Sequence, residues 1–241
     1  MPELATFVEL IRRDHAQSWQ GFETLRMPNI PDHPIPFFGE PNVARVLTVG
    51  VNPSWEEFTI NKWPDELSNE DLEARLRHYF SAPDATPHPW FRHWSDALRH
   101  VELSYTNGVA HLDLSPRATR AMKSCPKDTF LGMVAQDIKW FFEILPYCER
   151  ASVMMLAGCV TNDHYMNEYV KKKASHFGYK LLPMQDKPNT KGDGPVSYHT
   201  LVGFNRCLKV FFCGVSPSAR RPRILAQRVK ENSAHIKEWL K

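Results

Sequence analysis

Polar side chains follow three apolar runs of the sequence at the points where those runs end. Asn52 follows the first run, and His111 and Asp113 end the second. Ser216 follows the last run. An amide donates and accepts hydrogen bonds, a neutral imidazole carries one donor and one acceptor, and a carboxylate only accepts. Such groups together can orient a water molecule and bind the polar edge of a planar ligand.

Each of these residues also has an ordinary structural interpretation. Asn52 stands before Pro53, and this pair is typical of a turn. Asp113 precedes a Ser-Pro step, where aspartate often caps the next turn, and His111 fits equally well as a hydrogen-bonded core residue. The sequence alone leaves both interpretations open for Asp113 and His111.

Alternating apolar runs and amphipathic segments predict the elements that position these residues. The predicted strands are 45–50, 108–116, 151–158, 179–182 and 209–214. The predicted helices are 2–19, 68–80, 90–101, 129–145, 162–177 and 224–240, and the segments 26–41 and 186–197 are predicted as a proline-containing loop or extended segment and as a loop. This alternation predicts an α/β fold, a three-layer α/β/α sandwich with a central, mostly parallel sheet. Ligands of such folds bind at the carboxyl ends of the strands.

Length and composition are those of an ordinary globular chain. The chain has 241 residues, of which 42% are hydrophobic, and we expect one domain over residues 1–241. No apolar run approaches the roughly 20 residues that span a bilayer, and the first residues lack the apolar core of a secretory signal. Membrane, collagen-like and heptad-repeat proteins are therefore excluded, whereas nucleic-acid binders are not.

The cysteines indicate a reducing compartment. There are five of them, and no two have the CxxC spacing of many zinc and iron–sulfur sites. We therefore expect reduced, mostly buried thiols, and neither a metal nor a cofactor. The expected location is the cytoplasm of a bacterial-type cell, with the nucleoid.

Charge is distributed unevenly along the chain. The formal net charge is +3, but residues 206–241 carry +7 and residues 1–205 carry −4. A solvated amphipathic helix explains part of this excess. Arg220 and Arg221 stand in a predicted loop, however, and this clustering favours a surface that faces phosphates.

Two of the polar segments resemble a known family. The segment 50–53, Gly-Val-Asn-Pro, resembles motif A of the uracil-DNA glycosylase superfamily, in the Asn form of its mismatch-specific and single-strand-selective branches. The segment 214–217, Gly-Val-Ser-Pro, is similar to motif B, with Gly214 in place of the family's histidine. The order of strands and motifs agrees over roughly residues 40–225.

The resemblance implies roles for individual residues. Asn52 would position the hydrolytic water, with Val51 beside the base and Ser54, which replaces the usual Gly or Tyr, beside the DNA. Asp113 would accept an N–H of the base, and His111 would donate to a base oxygen. The loop after motif B would enter the minor groove through its residues Ser216, Pro217, Ser218, Arg220 and Arg221.

Excision also requires an aromatic side chain that stacks on the flipped base. Trp55, Phe58 and Trp63 follow Asn52 closely, and the family's spacing favours Trp63, although core packing explains any of the three. No lysine lies in the three loops 50–55, 111–117 and 214–222, so a Schiff base and lyase activity are not expected.

The sequence thus predicts a monofunctional DNA glycosylase that hydrolyses the N-glycosidic bond of uracil or another deaminated base and initiates base excision repair. The expected partner is DNA that contains such a base, with no membrane association, and the expected form is a monomer. Two alternatives remain. One is a protein on the same scaffold that binds damaged or single-stranded DNA without cleaving it. The other is a small-molecule hydrolase or nucleotide-metabolising enzyme.

Overall fold

The computed structural model of the chain describes residues 3–16, 19–120, 124–161, 164–184, 196–204, 206–214 and 222–241. Within these ranges the strands are β1 Phe37–Phe38, β2 Val46–Gly50, β3 Val109–Asp113, β4 Val153–Ala157, β5 Cys159–Thr161, β6 His164–Tyr165, β7 Tyr179–Pro183, β8 Val196–Gly203 and β9 Arg206–Cys213. The helices within the same ranges are α1 Leu4–Ala16, α2 Glu56–Ile60, α3 Asn69–Arg77, α4 Trp90–Leu98, α5 Lys127–Ile144, α6 Met166–Ala174, α7 Pro222–Glu231 and α8 Ser233–Trp239.

Seven of the described strands form one sheet in the order β1-β3-β2-β4-β9-β8-β7. The four central strands, β3, β2, β4 and β9, are parallel to one another, whereas β1 at one edge and β8 and β7 at the other are antiparallel. The predicted α/β fold is confirmed, with a parallel centre and antiparallel edges. The three-layer arrangement of its helices stays a prediction.

The central strands form because their sequences are almost continuously apolar. Every residue of β2, β3 and β4 is buried, as expected for parallel strands covered on both faces. β7 alternates more, with Lys180 exposed between the buried Tyr179 and Leu181, as an edge strand does. Helix α4 packs through the buried stripe Phe91, Trp94, Ala97 and Leu98.

The carboxyl ends of the central strands meet at one edge of the sheet. Gly50 at the end of β2 lies opposite Asp113 at the end of β3. Ala157 at the end of β4 lies opposite Cys213 at the end of β9. Gly214, the first residue of the segment that resembles motif B, follows at this same edge. The loops expected to carry chemistry therefore start side by side.

Several sequence-based boundaries were wrong. β8 was not predicted, and it occupies a segment whose first residues were assigned to the loop 186–197, of which residues 186–195 lie outside the described residues. The short helix α2 was also missed. The single helix predicted over 224–240 is two helices, α7 and α8, separated at Asn232, whose side chain donates back to the carbonyl of Arg228.

Two further observations concern compartment and membranes. The five cysteines are free thiols, but Cys148 and Cys213 alone are buried, so the expectation of mostly buried thiols was wrong. Among the described residues, no helix combines the length and the apolar character needed to cross a lipid bilayer.

Candidate functional site

A cleft of about 210 Å³ opens at the carboxyl edge of the central strands. This volume is below the roughly 300–1,000 Å³ of pockets for drug-sized ligands, so it fits a single small ring. The cleft is lined by Phe38, Gly50, Val51, Asn52, Pro53, Ser54, Glu57, His88, Trp90, Phe91, His111, Asp113, Thr119, Arg120, Ala157, Cys159 and Met166. The predicted residues Val51, Asn52, Ser54, His111 and Asp113 are all among them.

The loops after β2 and β3 run alongside each other because the backbone pairing continues beyond the strands. The N–H of Leu114 donates to the carbonyl of Gly50 at 3.1 Å, and the N–H of Ser115 donates to that of Val51 at 2.9 Å. Farther along, Thr119 forms a parallel bridge with Ser54. This pairing holds the loop that carries Asn52 against the loop that follows Asp113.

The side-chain amide of Asn52 has a fixed orientation. Its Nδ2 donates to the carbonyls of Pro53 at 2.9 Å and Arg117 at 3.2 Å, and to the hydroxyl of Thr119 at 2.9 Å. The Thr119 hydroxyl gives its own hydrogen to the carbonyl of Arg120, so its oxygen must accept from Asn52. No described residue donates to Oδ1 of Asn52. The oxygen of this amide is therefore an acceptor that the described residues leave unused, on a side chain that lines the cleft.

A buried ion pair supports the carbonyl that holds Asn52. The guanidinium of Arg117 binds both carboxylate oxygens of Asp137, at 2.9 and 2.8 Å, and both side chains are almost fully buried. Ser115 donates to the same carboxylate at 2.6 Å. Trp19 and Phe22 lie against the guanidinium at 5.1 and 5.4 Å. A bidentate, stacked arginine has little freedom, so the backbone at Arg117 is held in place.

His111 is oriented by a chain of hydroxyl groups behind it. Its Nδ1 lies 2.9 Å from Oγ1 of Thr48, and that hydroxyl lies 2.8 Å from the hydroxyl of Tyr105. The Thr48 hydroxyl also lies 3.4 Å from the carbonyl of Ala110, but its shorter contact with the ring favours donation to Nδ1, which assigns the N–H to Nε2. His111 therefore presents a donor on the side of Asp113 and the cleft.

Asp113 is not the turn cap that the sequence left open. Its Oδ1 lies 3.4 Å from Nε2 of His111, and its Oδ2 is buried with no partner among the described residues. Burial raises the pKa of Asp113, and the adjacent His111 opposes that rise. A buried carboxyl oxygen without a partner is costly, so this atom is the natural contact for an N–H of a bound ligand.

Gly50 leaves the space that His111 and Asp113 occupy. A Cβ on this residue would lie 2.5 Å from Oδ1 of Asp113 and 2.9 Å from Nε2 of His111. Both distances are shorter than any van der Waals contact, so no larger residue fits without displacing one of the two. Position 50 therefore requires glycine for steric reasons.

The three aromatic residues expected to stack on a base lie outside the cleft. Phe58 and Trp63 are buried and pack on each other, with ring centroids 5.2 Å apart, and Trp63 also packs on His33. Trp55 is half-buried and does not line the cleft either. The structure therefore does not place Trp63 at this cleft, because Phe58 of α2 and Trp63 just beyond that helix pack into the core. Trp90 at the start of α4 lines the cleft instead.

Sequence reasoning also missed Glu57, His88 and Arg120. Glu57 is buried in the cleft wall and Arg120 is exposed at its rim. Nε2 of His88 lies 2.9 Å from the carboxylate of Glu56, and its Nδ1 accepts from the N–H of Trp90 at 3.2 Å. A sequence signal existed for Trp90, which stands in the aromatic-rich segment Pro-Trp-Phe-Arg-His-Trp, but none existed for Glu57.

The expected DNA-contacting loop lies outside the described residues. This applies to Ser216, Pro217, Ser218, Arg220 and Arg221, so their roles stay predictions. Ser54 is described, and its hydroxyl accepts the N–H of Glu56 at 3.2 Å. Comparison with protein-family models and with curated proteins produced no match for this chain.

Proposed function

We propose that the protein is a monofunctional DNA glycosylase that hydrolyses the N-glycosidic bond of uracil or another deaminated base. The observation that carries the proposal is the fixed amide of Asn52. Its Nδ2 is occupied by three protein acceptors, so its Oδ1 is left to orient a water molecule in the cleft. Cleavage by an oriented water needs such an acceptor beside the anomeric carbon of the sugar.

The remaining contacts of the cleft suit a neutral heterocycle with an amide-like edge. Asp113 offers a buried oxygen that has no partner among the described residues, and His111 offers an N–H directed to the same region. Trp90 and Phe38 supply aromatic surface on the cleft wall. Deaminated bases present an N–H next to a carbonyl, which one acceptor and one donor can bind together. Cytosine and adenine lack that pattern at the corresponding edge.

The proposed reaction adds the elements of water across the N-glycosidic bond. The hydroxyl goes to the anomeric carbon, the bond to the base breaks, and the base leaves with the proton. The sugar develops positive charge and the base develops negative charge as the bond breaks. Donors such as the Nε2–H of His111 stabilise the leaving base. The proposed partner is DNA with a deaminated base, and base excision repair is the process it would initiate.

The test is strand scission of an oligonucleotide after alkali treatment. Oligonucleotides that contain uracil, xanthine, hypoxanthine or mismatched thymine are incubated with the protein, and at least one is expected to give an alkali-labile site. Asn52→Ala should lower the excision rate by about 100-fold or more while DNA binding changes little. Asn42→Ala is the matched control, because Asn42 is exposed near the amino end of β2, the end opposite the cleft.

Three outcomes would count against the proposal. Binding without turnover on all four substrates would favour a non-catalytic protein that recognises damaged DNA. Absence of DNA binding and of any salt dependence would favour a small-molecule hydrolase. Equal losses of binding and excision in Asn52→Ala would contradict water positioning by this side chain.

A further inference from the structure

Glu57 is a buried carboxyl in the wall of the cleft. The residue lies in the first turn of α2, is 2% exposed and lines the cleft together with Asp113 and His111. A buried carboxyl group lowers the stability of the fold unless it is hydrogen-bonded or neutral. Its partners show which of its two oxygens is available to a ligand.

The hydrogen bonds of Glu57 have a definite direction. The N–H of His88 donates to the hydroxyl of Tyr79 at 3.0 Å, and that hydroxyl donates in turn to Oε2 of Glu57 in a short contact. Asn61 also donates to Oε2, at 3.4 Å. Because Oε2 already accepts from two donors, a proton on this carboxyl must reside on Oε1. None of the described residues forms a hydrogen bond with Oε1.

The surroundings of Glu57 favour its neutral form. The pKa of Glu57 is raised to about 8, chiefly by burial and in addition by the negative charges of Asp113 on β3 and Glu56 on α2. The donors Tyr79 and Asn61 act in the opposite direction. The two imidazoles of the cleft lie against other carboxylates, His111 against Asp113 and His88 against Glu56.

We propose that Glu57, as a neutral carboxylic acid, donates a hydrogen bond from Oε1 to the leaving base and stabilises the negative charge that develops there. This inference rests on the proposed glycosylase function. His111 supplies one donor to the base from β3, and Glu57 would add a second donor from α2 on the wall of the same cleft. A protonated carboxylic acid in an apolar site can fill that role, and removing one such donor costs roughly 100- to 1,000-fold in rate.

The first test is the pH dependence of single-turnover excision on a uracil-containing oligonucleotide. Wild-type excision should fall about tenfold between pH 7 and pH 9, because Glu57 ionises near pH 8 and loses its donor. Glu57→Gln keeps an N–H donor at every pH, so its rate should vary less than about twofold over that range. Glu57→Ala should lose about 100-fold or more at pH 7. A decline that persists in Glu57→Gln would overturn the proposal.

Two neighbouring variants should move the alkaline decline in opposite directions. Tyr79→Phe removes a hydrogen bond that stabilises ionised Glu57, so the decline should shift to higher pH. Glu56→Gln removes a negative charge that disfavours ionisation, so the decline should shift to lower pH. A merely structural role of Glu57 would leave the pH of the decline unchanged in both variants, and that result would contradict the proposal.

A measurement that does not depend on activity separates this inference from the proposed function. Folded Glu57 binds its proton up to about pH 8, whereas an unfolded glutamate releases it near pH 4.5. Wild-type stability should therefore fall relative to Glu57→Gln as the pH rises through this window. A constant difference in melting temperature would overturn the neutral carboxyl itself. Wild-type protein that shows the expected stability profile but excises no base would overturn the proposed function, and the role in catalysis with it.

Discussion

Gly50→Ala tests the arrangement of the cleft most directly. The new Cβ would lie 2.5 Å from Oδ1 of Asp113 and 2.9 Å from Nε2 of His111. The backbone at Gly50 is ordinary strand, so the methyl group introduces a clash without backbone strain. Overpacking of this kind costs about 1–3 kcal/mol of stability. A displacement of either side chain by about 1 Å should lower the rate of base excision by about 100-fold.

The two effects are measured by urea unfolding and by single-turnover excision. Gly132→Ala is the matched control, because a Cβ there would meet Phe22 at 3.4 Å, an ordinary contact, in the interior of α5. That control should be more stable than wild type by about 0.5–1 kcal/mol. If Gly50→Ala had wild-type stability and wild-type excision, the placement of His111 and Asp113 against Gly50 would be refuted.

Two further predictions concern the ion pair and the aromatic wall. Arg117→Met leaves Asp137 buried without its cation, so it should lower the free energy of unfolding in urea by about 3–5 kcal/mol. Arg99→Met is the control, because Arg99 is exposed and its loss should change that free energy little. Similar losses in both variants would contradict the anchoring role of Arg117. Trp90→Ala should weaken binding of uracil-containing DNA by about 1–3 kcal/mol if the ring stacks on the base. Trp63→Ala should instead lower the stability of the protein and leave DNA binding near the wild-type value at temperatures below the melting temperature of the variant. If Trp63→Ala weakened binding and Trp90→Ala did not, Trp63 would be the stacking residue.

The central strands were predictable because their burial on both faces requires apolar runs that the sequence shows directly. The α/β class and the edge of the sheet that carries the cleft followed from the alternation of strands and helices. β8 was missed because His199 and Thr200 interrupt its apolar pattern, although His199 is buried and bonds Ser197 at 2.8 Å. β1 has two residues between prolines and exists only through pairing with β3.

The cleft residues that the sequence could predict are those next to the ends of strands. The others reach the cleft only through tertiary packing, which the sequence does not show. Asn52, His111 and Asp113 follow from the rule that ligands bind at the carboxyl edge. Glu57 and Trp90 come from helices whose orientation no local pattern specifies. The same packing explains why Trp63, attractive by spacing alone, lies in the core rather than in the cleft.

The charges of the cleft divide the proposed recognition of DNA into two parts. Its wall carries the carboxyl groups Glu57 and Asp113, and its one cationic side chain among the described residues is Arg120 at the rim. A phosphate inside would face two buried acids, whereas a neutral base would satisfy them. In the proposed complex, phosphates would bind outside the cleft, where Arg120 supplies positive charge at the rim. This division favours a base presented by a polymer over a free nucleotide, whose phosphate would have to accompany the base into the cleft.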